Sequence, residues 1–221
     1  MGWPKRLKLI RHAESEGNVL SSAERALYDM GSQNYPLTPR GRHQAEITGQ
    51  YLRDNFPPSD IRYVSYYVRS KQSMELMRPG EKTYEDPRLA EAQRGIWHTM
   101  THEQVAQRFP EEITRKAREG LYHYRPLGGE NWPDIELRIH SFMGTLSRDY
   151  EDQEVEIVGH GHWIILFDRL TQRFTIDEAM ARYKSATIEN ASVTIYEGTT
   201  INGKSRLVLK ETNIVPWKGK I

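Results

Sequence analysis

The feature that most constrains the fold is an alternation between short apolar runs and longer stretches of helical periodicity. Leu7 to Ile10 and Val155 to Val158 are short runs that suit buried strands. From Thr38 to Phe56, apolar residues recur at roughly helical spacing after a capping threonine and a first-turn proline. Strands that alternate with helices predict an α/β fold, a three-layer α/β/α sandwich in which helices cover both faces of a mostly parallel sheet.

A second strand is predicted where aromatic and β-branched residues cluster. Ile61 to Val68 has this composition, and Arg69 is expected at the end of the strand. The rest of the chain alternates in the same way, without an internal repeat. We predict helices that begin with capping boxes at Thr101–Gln104 and Thr175–Glu178, a helix from Trp132 to about Tyr150, a buried helix over Trp163–Phe167, and terminal strands over 192–197 and 206–211.

Composition and charge limit the partners that the chain can have. Lys and Arg total 31 against 30 Asp and Glu, which leaves a formal net charge of +1. No strong overall field therefore favours nucleic acid or an anionic membrane. The chain contains no cysteine, which excludes disulfides, thiolate metal sites and cysteine nucleophiles. The apolar stretch near the N-terminus is too short for a signal peptide or a membrane span, so we expect a cytoplasmic protein.

The length of the chain bounds its domain organisation. The 221 residues contain no obvious linker, which favours one domain over residues 1–221. The segment around 98–129 is rich in aromatic and basic residues, and we expect it to be a lid over the ligand. The sequence leaves the oligomeric state open, with a homodimer as one alternative.

Arginine and histidine residues recur at the predicted carboxyl ends of the strands. Arg11 and His12 follow the first run, Arg69 ends the second, and His160 comes after the central one. In a parallel sheet these ends meet at one crevice, so residues distant in sequence can come together. Guanidinium groups suit the oxygens of a phosphoryl group, and an imidazole kept neutral by cationic neighbours can attack phosphorus. The pattern predicts a phosphoryl-transfer site that needs no metal and no cofactor.

Other histidines and arginines receive simpler interpretations. His98 and His102 have the i, i+4 spacing of a metal-binding pair but lack the accompanying carboxylate pattern, so we expect no metal site. His162 is interpreted as a polar residue in the first turn of a buried helix, without a role in the chemistry. Arg94 and Arg125 are interpreted as solvated surface charges rather than as readers of a second anionic group on the substrate.

Several segments resemble, in order, the motifs of the histidine phosphatase superfamily, which includes phosphoglycerate mutases and broad-specificity phosphatases. The most specific are Leu9-Ile10-Arg11-His12-Ala13-Glu14-Ser15-Glu16-Gly17-Asn18 and Val158-Gly159-His160-Gly161. The chain departs from the family at two places. Ala13 stands where the family more often has glycine, and Tyr66-Tyr67-Val68 stands before Arg69 where the family more commonly has a segment of the Ser-Pro-Tyr type. The intermediate segments are Leu37-Thr38 with Gly41 and Gln44-Ala45, Val68-Arg69-Ser70-Lys71-Gln72-Ser73, Leu89-Ala90-Glu91 with Gly95 and Trp97, and Gly128-Gly129-Glu130-Asn131 with Arg138.

The resemblance implies a phosphoglycerate mutase-like fold and a role for each matching residue. His12 would be the nucleophile that becomes phosphorylated, and Glu91 would be the general acid that protonates the leaving alcohol. Nearby arginines would lower the pKa of Glu91, and a bound phosphate dianion would raise it again. The residues implied to hold the phosphoryl group through fixed cations and other donors are Arg11, Arg69, His160, Asn18 and Gly161.

The resemblance leaves three functions to compare. The first is a phosphatase that hydrolyses phosphate monoesters of a small molecule through a phosphohistidine. The second is a phosphoglycerate mutase-like phosphotransferase, and the third is a catalytically inactive binding module on the same fold. The mutases resemble one another in a tryptophan-rich stretch after the first motif, whereas residues 19–35 contain no tryptophan. That difference favours the phosphatase over the mutase, and the retention of His12, Arg69, Glu91 and His160 argues against the inactive module.

Overall fold

A six-stranded sheet forms the centre of the computed structural model, which describes residues 2–28, 30–185 and 187–221. The strands are β1 (Arg6–Arg11), β2 (Ile61–Val64), β3 (Tyr84–Glu85), β4 (Glu154–Gly159), β5 (Val193–Ile201) and β6 (Lys204–Ile214). Their order is β3-β2-β4-β1-β5-β6, with the first four parallel, β5 antiparallel to β1, and β6 antiparallel to β5. The predicted α/β fold with a mostly parallel sheet is confirmed.

Helices of very different length connect the strands. Two short 3-10 helices, Ser32–Asn34 and Pro87–Leu89, lie between them. The α-helices are α1 (Glu16–Val19), α2 (Ser22–Leu27), α3 (Pro39–Asn55), α4 (Val68–Met77), α5 (Ile96–Thr99), α6 (His102–Arg108), α7 (Pro110–His123), α8 (Trp132–Asp149), α9 (Gly161–Gln172) and α10 (Ile176–Ser185). The predicted helix starts after Thr101, at Trp132 and after Thr175 are confirmed.

Two apolar clusters lie on opposite faces of the sheet. Leu7 and Leu9 of β1 pack on one face with Phe142 of α8 and Phe167 of α9. Ile10 of β1 packs on the other face with residues of α3 and α4. Successive side chains of a strand point to opposite faces, so β1 takes part in both cores. Each such buried apolar side chain contributes about 1.5–3 kcal/mol to stability, and the two cores hold β1 firmly in place.

One strand boundary differs from the sequence prediction in a way that affects the site. β2 ends at Val64, and the predicted continuation to Val68 is wrong, because Val68 is the first residue of α4. Arg69 therefore lies in the first turn of a helix rather than at the end of a strand. The terminal hairpin is also longer than predicted, since β5 continues to Ile201 before the turn.

The segment around 98–129 is mostly helical and is attached to the main core. Tyr122 of α7 is buried, and its ring contacts that of Trp132 in α8 at a centroid distance of 6.0 Å. Tyr124 is also buried, and its hydroxyl donates to Glu112 at 2.8 Å. The Tyr122 contact holds α7 against α8 in this conformation, whereas the Tyr124 bond lies within the segment itself. The expected movement of the segment as a lid stays a prediction.

A cluster of charged side chains is buried between the sheet and α4, away from the polar end of the strands. Lys8 of β1 and Glu156 of β4 are fully buried neighbours in the sheet, and their Nζ and Oε2 atoms are 3.8 Å apart. Arg78, after α4, donates to both carboxylate oxygens of Glu156 at 3.1 and 2.8 Å. Ser59 donates a further hydrogen bond at 3.1 Å. Glu156 is thus the anion that buried Arg78 and Lys8 share, and Lys8 also lies 3.8 Å from Oε2 of Glu154.

Neither a membrane-spanning helix nor a metal-binding group of side chains is found among the residues that the structure describes. No helix there combines the length and apolar character needed to cross a bilayer. The same residues include no group of three or more His, Asp or Glu side chains arranged to hold a metal ion.

Candidate active site

The carboxyl ends of the parallel strands open into a cavity of about 390 Å³. His12 follows β1 directly, and its backbone N–H donates to Gly159 at the end of β4 at 2.9 Å. This bond aligns the segments that carry His12 and His160. The residues that line the cavity are Arg11, His12, Ser15, Gly17, Asn18, Arg25, Ser32, Tyr35, Tyr67, Arg69, Glu91, Ala92, Arg94, His98, Gly161, His162, Ile165, Tyr183, Thr187 and Ile188.

His12 is held in one tautomer by its neighbours. Its Nδ1 lies 2.7 Å from the carbonyl oxygen of Ala13, so Nδ1 carries the proton and donates. The lone pair is therefore on Nε2, where it accepts a hydrogen bond from Nε of Arg69 at 3.0 Å. Burial, the charges of Arg69 and Arg11, and the neighbouring imidazole of His160 hold the pKa of His12 well below its ordinary value. The imidazole is neutral at physiological pH, as a nitrogen nucleophile must be.

His160 lies beside His12 at the start of α9 and is fully buried. The two ring centroids are 5.2 Å apart. Its Nδ1 is 3.3 Å from Nη2 of Arg69, and its Nε2 is 2.8 Å from the hydroxyl of Ser65. Because Arg69 can only donate, Nδ1 accepts here and Nε2–H donates to Ser65. Burial and the charge of Arg69 also hold the pKa of His160 well below its ordinary value.

Two arginines supply the fixed positive charge of the site. Arg69 is buried, its Nη1 donates to the carbonyl oxygen of Ser32 at 2.7 Å, and burial lowers its pKa to about 10, which leaves it charged at neutral pH. Arg11 donates from Nη1 to the carbonyl oxygen of Ile188. Its Nε is buried and has no hydrogen-bond partner among the described residues. Such a donor is costly to leave unpaired, so it is available to an anion in the cavity.

Asn18 and Gly161 complete the set that the sequence predicts for the phosphoryl group. Oδ1 of Asn18 accepts from the backbone and the hydroxyl of Ser15, both at 3.0 Å, and from Asn190 at 3.3 Å. The amide nitrogen of Asn18 is the donor that remains for a ligand. Gly161 is the first residue of α9, so the positive end of the helix dipole faces the same cavity. Asn190 also donates to the carbonyl oxygen of His12 at 3.0 Å, which fixes the loop that follows β1.

Glu91 is the one carboxylate in the cavity lining among the described residues. Its Oε1 accepts from the backbone N–H of Ala92 at 3.0 Å and lies 3.7 Å from Nδ1 of His162. Burial raises the pKa of Glu91, but His162, His160 and the Ala92 N–H together outweigh it and hold the pKa well below its ordinary value. The two histidines are larger contributors to this lowering than the arginines to which the sequence prediction assigned it.

A comparison with known families identifies the group to which the chain belongs. Residues 7–211 match the histidine phosphatase superfamily, branch 1. The chain is a member of this superfamily. The resemblance that the sequence motifs indicate is therefore confirmed.

Three relatives show how far the similarity extends within the superfamily. Phosphoserine phosphatase 1 of Hydrogenobacter thermophilus is 27% identical over 158 residues, which is 70% of each chain. Phosphoglycerate mutase-like protein AT74 of Arabidopsis thaliana is 32% identical over 169 residues, which is 70% of this chain and 50% of that protein. The 6-phosphofructo-2-kinase/fructose-2,6-bisphosphatase of Caenorhabditis elegans is 27% identical over 157 residues, which is 71% of this chain but only 32% of the relative. The chain thus spans about a third of that larger protein.

Solved structures of the superfamily have the same fold. A putative alpha-ribazole-5'-P phosphatase from Escherichia coli has a TM-score of 0.74 and 21% identity, covering 96% of this chain and 98% of that one. YhfR of Bacillus stearothermophilus has a TM-score of 0.74 and 26% identity, covering 95% of this chain and 97% of that one. The predicted phosphoglycerate mutase-like fold is confirmed by this agreement along the chain.

Sequence reasoning missed two residues of this histidine phosphatase site. His162 lies in the first turn of α9 as predicted, but its side chain lines the cavity beside Glu91, where the sequence interpretation gave it no role. Arg94 also lines the cavity, so its interpretation as a simple surface charge is incomplete. Arg125 pairs with Asp134 and does not line the cavity. The sequence signal for His162 was its position two residues after His160, but the sequence does not reveal which way a helix turns its side chains.

The two buried histidines predict an acid-sensitive fold. Their pKa values lie below the ordinary 6.5 in the folded chain, so neither state binds a proton above that pH. Below it, the unfolded chain takes up protons that the folded chain excludes. We expect the free energy of unfolding to fall by up to about 1.4 kcal/mol per pH unit for each histidine.

Urea denaturation at about pH 7.5 and about pH 5.5 measures this dependence. The double variant His12→Asn/His160→Asn provides the comparison, because it lacks both titrating groups. Its unfolding free energy is expected to change less between the two pH values than that of the wild type. An equal change in unfolding free energy between the two pH values for both proteins would show that other groups cause the acid sensitivity.

Proposed function

We propose that the protein is a phosphatase that hydrolyses phosphate monoesters of a small molecule through a phosphohistidine at His12. The observation that carries the proposal is the position of Nε2 of His12, an unprotonated nitrogen at the cavity surface hydrogen-bonded to Arg69 at 3.0 Å. His160 and Arg11 flank the same point. A nucleophile surrounded by cations suits a group that carries negative charge on three oxygens.

The reaction divides into two displacements at phosphorus. In the first, Nε2 of His12 forms a bond to phosphorus while the bond to the ester oxygen breaks, and Glu91 gives that oxygen a proton. In the second, water attacks the phosphohistidine while the phosphorus–nitrogen bond breaks, and Glu91 takes the proton of the water. Arg11, Arg69 and His160 hold the phosphoryl oxygens, with Asn18 and the start of α9 at Gly161 as further donors. The products are an alcohol and inorganic phosphate, and His12 and Glu91 return to their initial states.

The shape of the cavity and the relatives both support a small substrate. A volume of about 390 Å³ accommodates a compact metabolite, and its apolar wall includes Ile165 and Ile188. Phosphoserine phosphatase 1 matches the chain over 70% of both sequences, which supports hydrolysis over transfer. The large bisphosphatase is matched over only 32% of its length, so its activity as a whole is not proposed for this chain.

The experiment that tests the proposal is release of phosphate from p-nitrophenyl phosphate in a buffer that contains EDTA. We expect turnover at mildly acidic to neutral pH, unchanged by the chelator, because the proposed nucleophile and cations all belong to the protein. Zero turnover across this range would contradict the proposal and would favour a binding module.

A second assay separates hydrolysis from a mutase-like transfer. With 3-phosphoglycerate as substrate, a phosphatase releases phosphate without a primer. A mutase instead forms 2-phosphoglycerate and depends on a bisphosphoglycerate primer to load the histidine. Isomerisation faster than phosphate release would contradict the proposal in favour of transfer.

A further inference from the structure

His162 lies beside Glu91 in the cavity lining and is hydrogen-bonded to a tyrosine from another helix. Nδ1 of His162 is 3.7 Å from Oε1 of Glu91, within ion-pair distance. Nε2 of His162 is 2.9 Å from the hydroxyl of Tyr183 in α10. The side chains of His162 and Glu91 each retain 18% of their accessible surface, and both line the cavity. The three residues form a chain from α10 to the carboxylate beside the phosphoryl site.

A carboxylate in this position lacks a proton to donate at neutral pH. A general acid works best when its pKa is near the pH at which the enzyme acts. The N–H of Ala92 and the imidazole of His162 both favour the ionised form of Glu91. Protonation of a leaving alcohol therefore needs a second group that binds a proton near neutral pH and can pass it to Glu91. His162 is an imidazole at ion-pair distance from Oε1.

We propose that His162 and Glu91 form a proton-relay pair, in which His162 supplies the proton that Glu91 delivers to the leaving oxygen. This inference rests on the proposed function. In the first displacement, the proton on Nδ1 of His162 passes to Glu91 as Glu91 protonates the ester oxygen. In the second, Glu91 takes a proton from the attacking water and returns one to His162. The pair ends each turnover with the proton count at which it began.

Tyr183 is the positioning residue of this relay. Its hydroxyl accepts from Nε2–H when His162 is protonated, which directs Nδ1–H toward Glu91. The ring centroids of His162 and Tyr183 are 4.9 Å apart. The ring of Trp132 in α8 lies 6.1 Å from that of His162 and 5.0 Å from that of Tyr183, between centroids. Three helices thus restrict rotation of the imidazole. Without this restraint, His162 would turn toward solvent and lose its contact with the carboxylate.

The relay lies next to the charges proposed to bind the phosphoryl group. Arg94, from the same loop as Glu91, and Arg11 of β1 line the same cavity as His162. A phosphate dianion that pairs with these arginines is therefore held in the cavity into which Glu91 and His162 both face.

Two aryl phosphates of similar shape test the relay because they differ in the leaving group. p-Nitrophenolate leaves readily without a proton, whereas phenolate is a poorer leaving group and gains more from general-acid catalysis. We expect His162→Gln to lower kcat/KM for phenyl phosphate by about 10²-fold and to change that for p-nitrophenyl phosphate by less than about fivefold. Glu91→Gln is expected to show the same difference between the two esters. The double variant is expected to have the same kcat/KM for phenyl phosphate as Glu91→Gln alone, because both residues act in one relay.

Two further measurements separate a relay from a structural role. His162→Gln is expected to alter the pH profile of kcat/KM for phenyl phosphate and to leave the profile for p-nitrophenyl phosphate unchanged. With His162→Ala, imidazole added to the buffer is expected to restore part of the activity toward phenyl phosphate. The matched control is His43→Gln, since His43 is exposed on α3 and is not in the cavity lining; this variant is expected to hydrolyse both esters at the wild-type rate.

The outcomes distinguish failure of the relay from failure of the proposed function. Equal losses on both esters in His162→Gln, or no loss on phenyl phosphate, would overturn the relay while the enzyme remains a phosphatase. A wild-type protein that hydrolyses neither ester would overturn the phosphatase proposal and the relay with it. Leaving-group dependence, an altered pH profile for phenyl phosphate and rescue by imidazole together support the relay.

Discussion

His12→Ala is expected to lower kcat for p-nitrophenyl phosphate by about 10³-fold or more, because the variant has no nitrogen to accept the phosphoryl group. Arg11, Arg69 and His160 remain, so the variant should still bind the ester. We therefore expect KM to change much less than kcat. Turnover is measured by release of p-nitrophenolate, and the intermediate by rapid quenching with ³²P-labelled substrate, which should label the wild type and not the variant.

The control for this experiment is His43→Ala, which removes an exposed imidazole of α3. It is expected to retain wild-type activity and to label normally. A kcat for His12→Ala within tenfold of the wild type would contradict a nucleophilic role. A label that is stable to acid but lost in alkali would contradict it as well, since a phosphorus–nitrogen bond has the opposite stability.

Glu156→Gln is expected to lower the free energy of unfolding by about 3–5 kcal/mol, because it leaves the buried Arg78 without its anion and leaves Lys8 with Glu154 alone, at 3.8 Å. Lys8 and Glu156 have no exposed surface, and Arg78 is only 4% exposed, so water cannot replace the lost charge. The amide of glutamine also cannot accept from both nitrogens of Arg78. Urea denaturation measures the change as a lower midpoint with an unaltered slope.

Two comparisons test whether burial causes this loss of stability. Asp149→Asn breaks the exposed ion pair with Arg148, and we expect it to change the urea midpoint far less than Glu156→Gln does, because water screens an exposed pair. The triple variant Lys8→Met/Arg78→Met/Glu156→Leu removes all three charges and is expected to recover most of the lost stability. A loss of under about 1 kcal/mol in Glu156→Gln would show that the cluster rearranges or admits water.

The position of the site could be predicted from the sequence because strand ends follow from local patterns. The apolar runs before Arg11 and His160 mark two strands, and the carboxyl ends of parallel strands meet by geometry. The strand prediction failed at Tyr66 to Val68, where aromatic and β-branched residues suggested continuation. Tyr67 is instead buried against His160, with 4.7 Å between the ring centroids. Its apolar ring therefore packs in the site and does not belong to a strand of the sheet. Arg69 still reaches the cavity because only three residues separate the end of β2 from the start of α4.

Other features depend on contacts that local patterns do not contain. The pairing of His162 with Glu91 and Tyr183 joins three elements that are far apart in the sequence. Lys8 and Glu156 alternate with apolar residues, which in a strand is also the pattern of a face exposed to solvent. Only the packing of α4 against the sheet buries these charges. Long-range side-chain pairs of this kind are the part of the structure that periodicity leaves undetermined.

The concentration of positive charge in the cavity has a consequence for the rate at which the enzyme can cycle. Inorganic phosphate, the product of the proposed reaction, meets the same guanidinium groups as the ester that it came from, including Nε of Arg11, which has no hydrogen-bond partner among the described residues. We expect orthophosphate to compete with substrate and its departure to limit turnover at high substrate concentration. The protein would then slow in phosphate-rich surroundings and speed up where the anion is scarce.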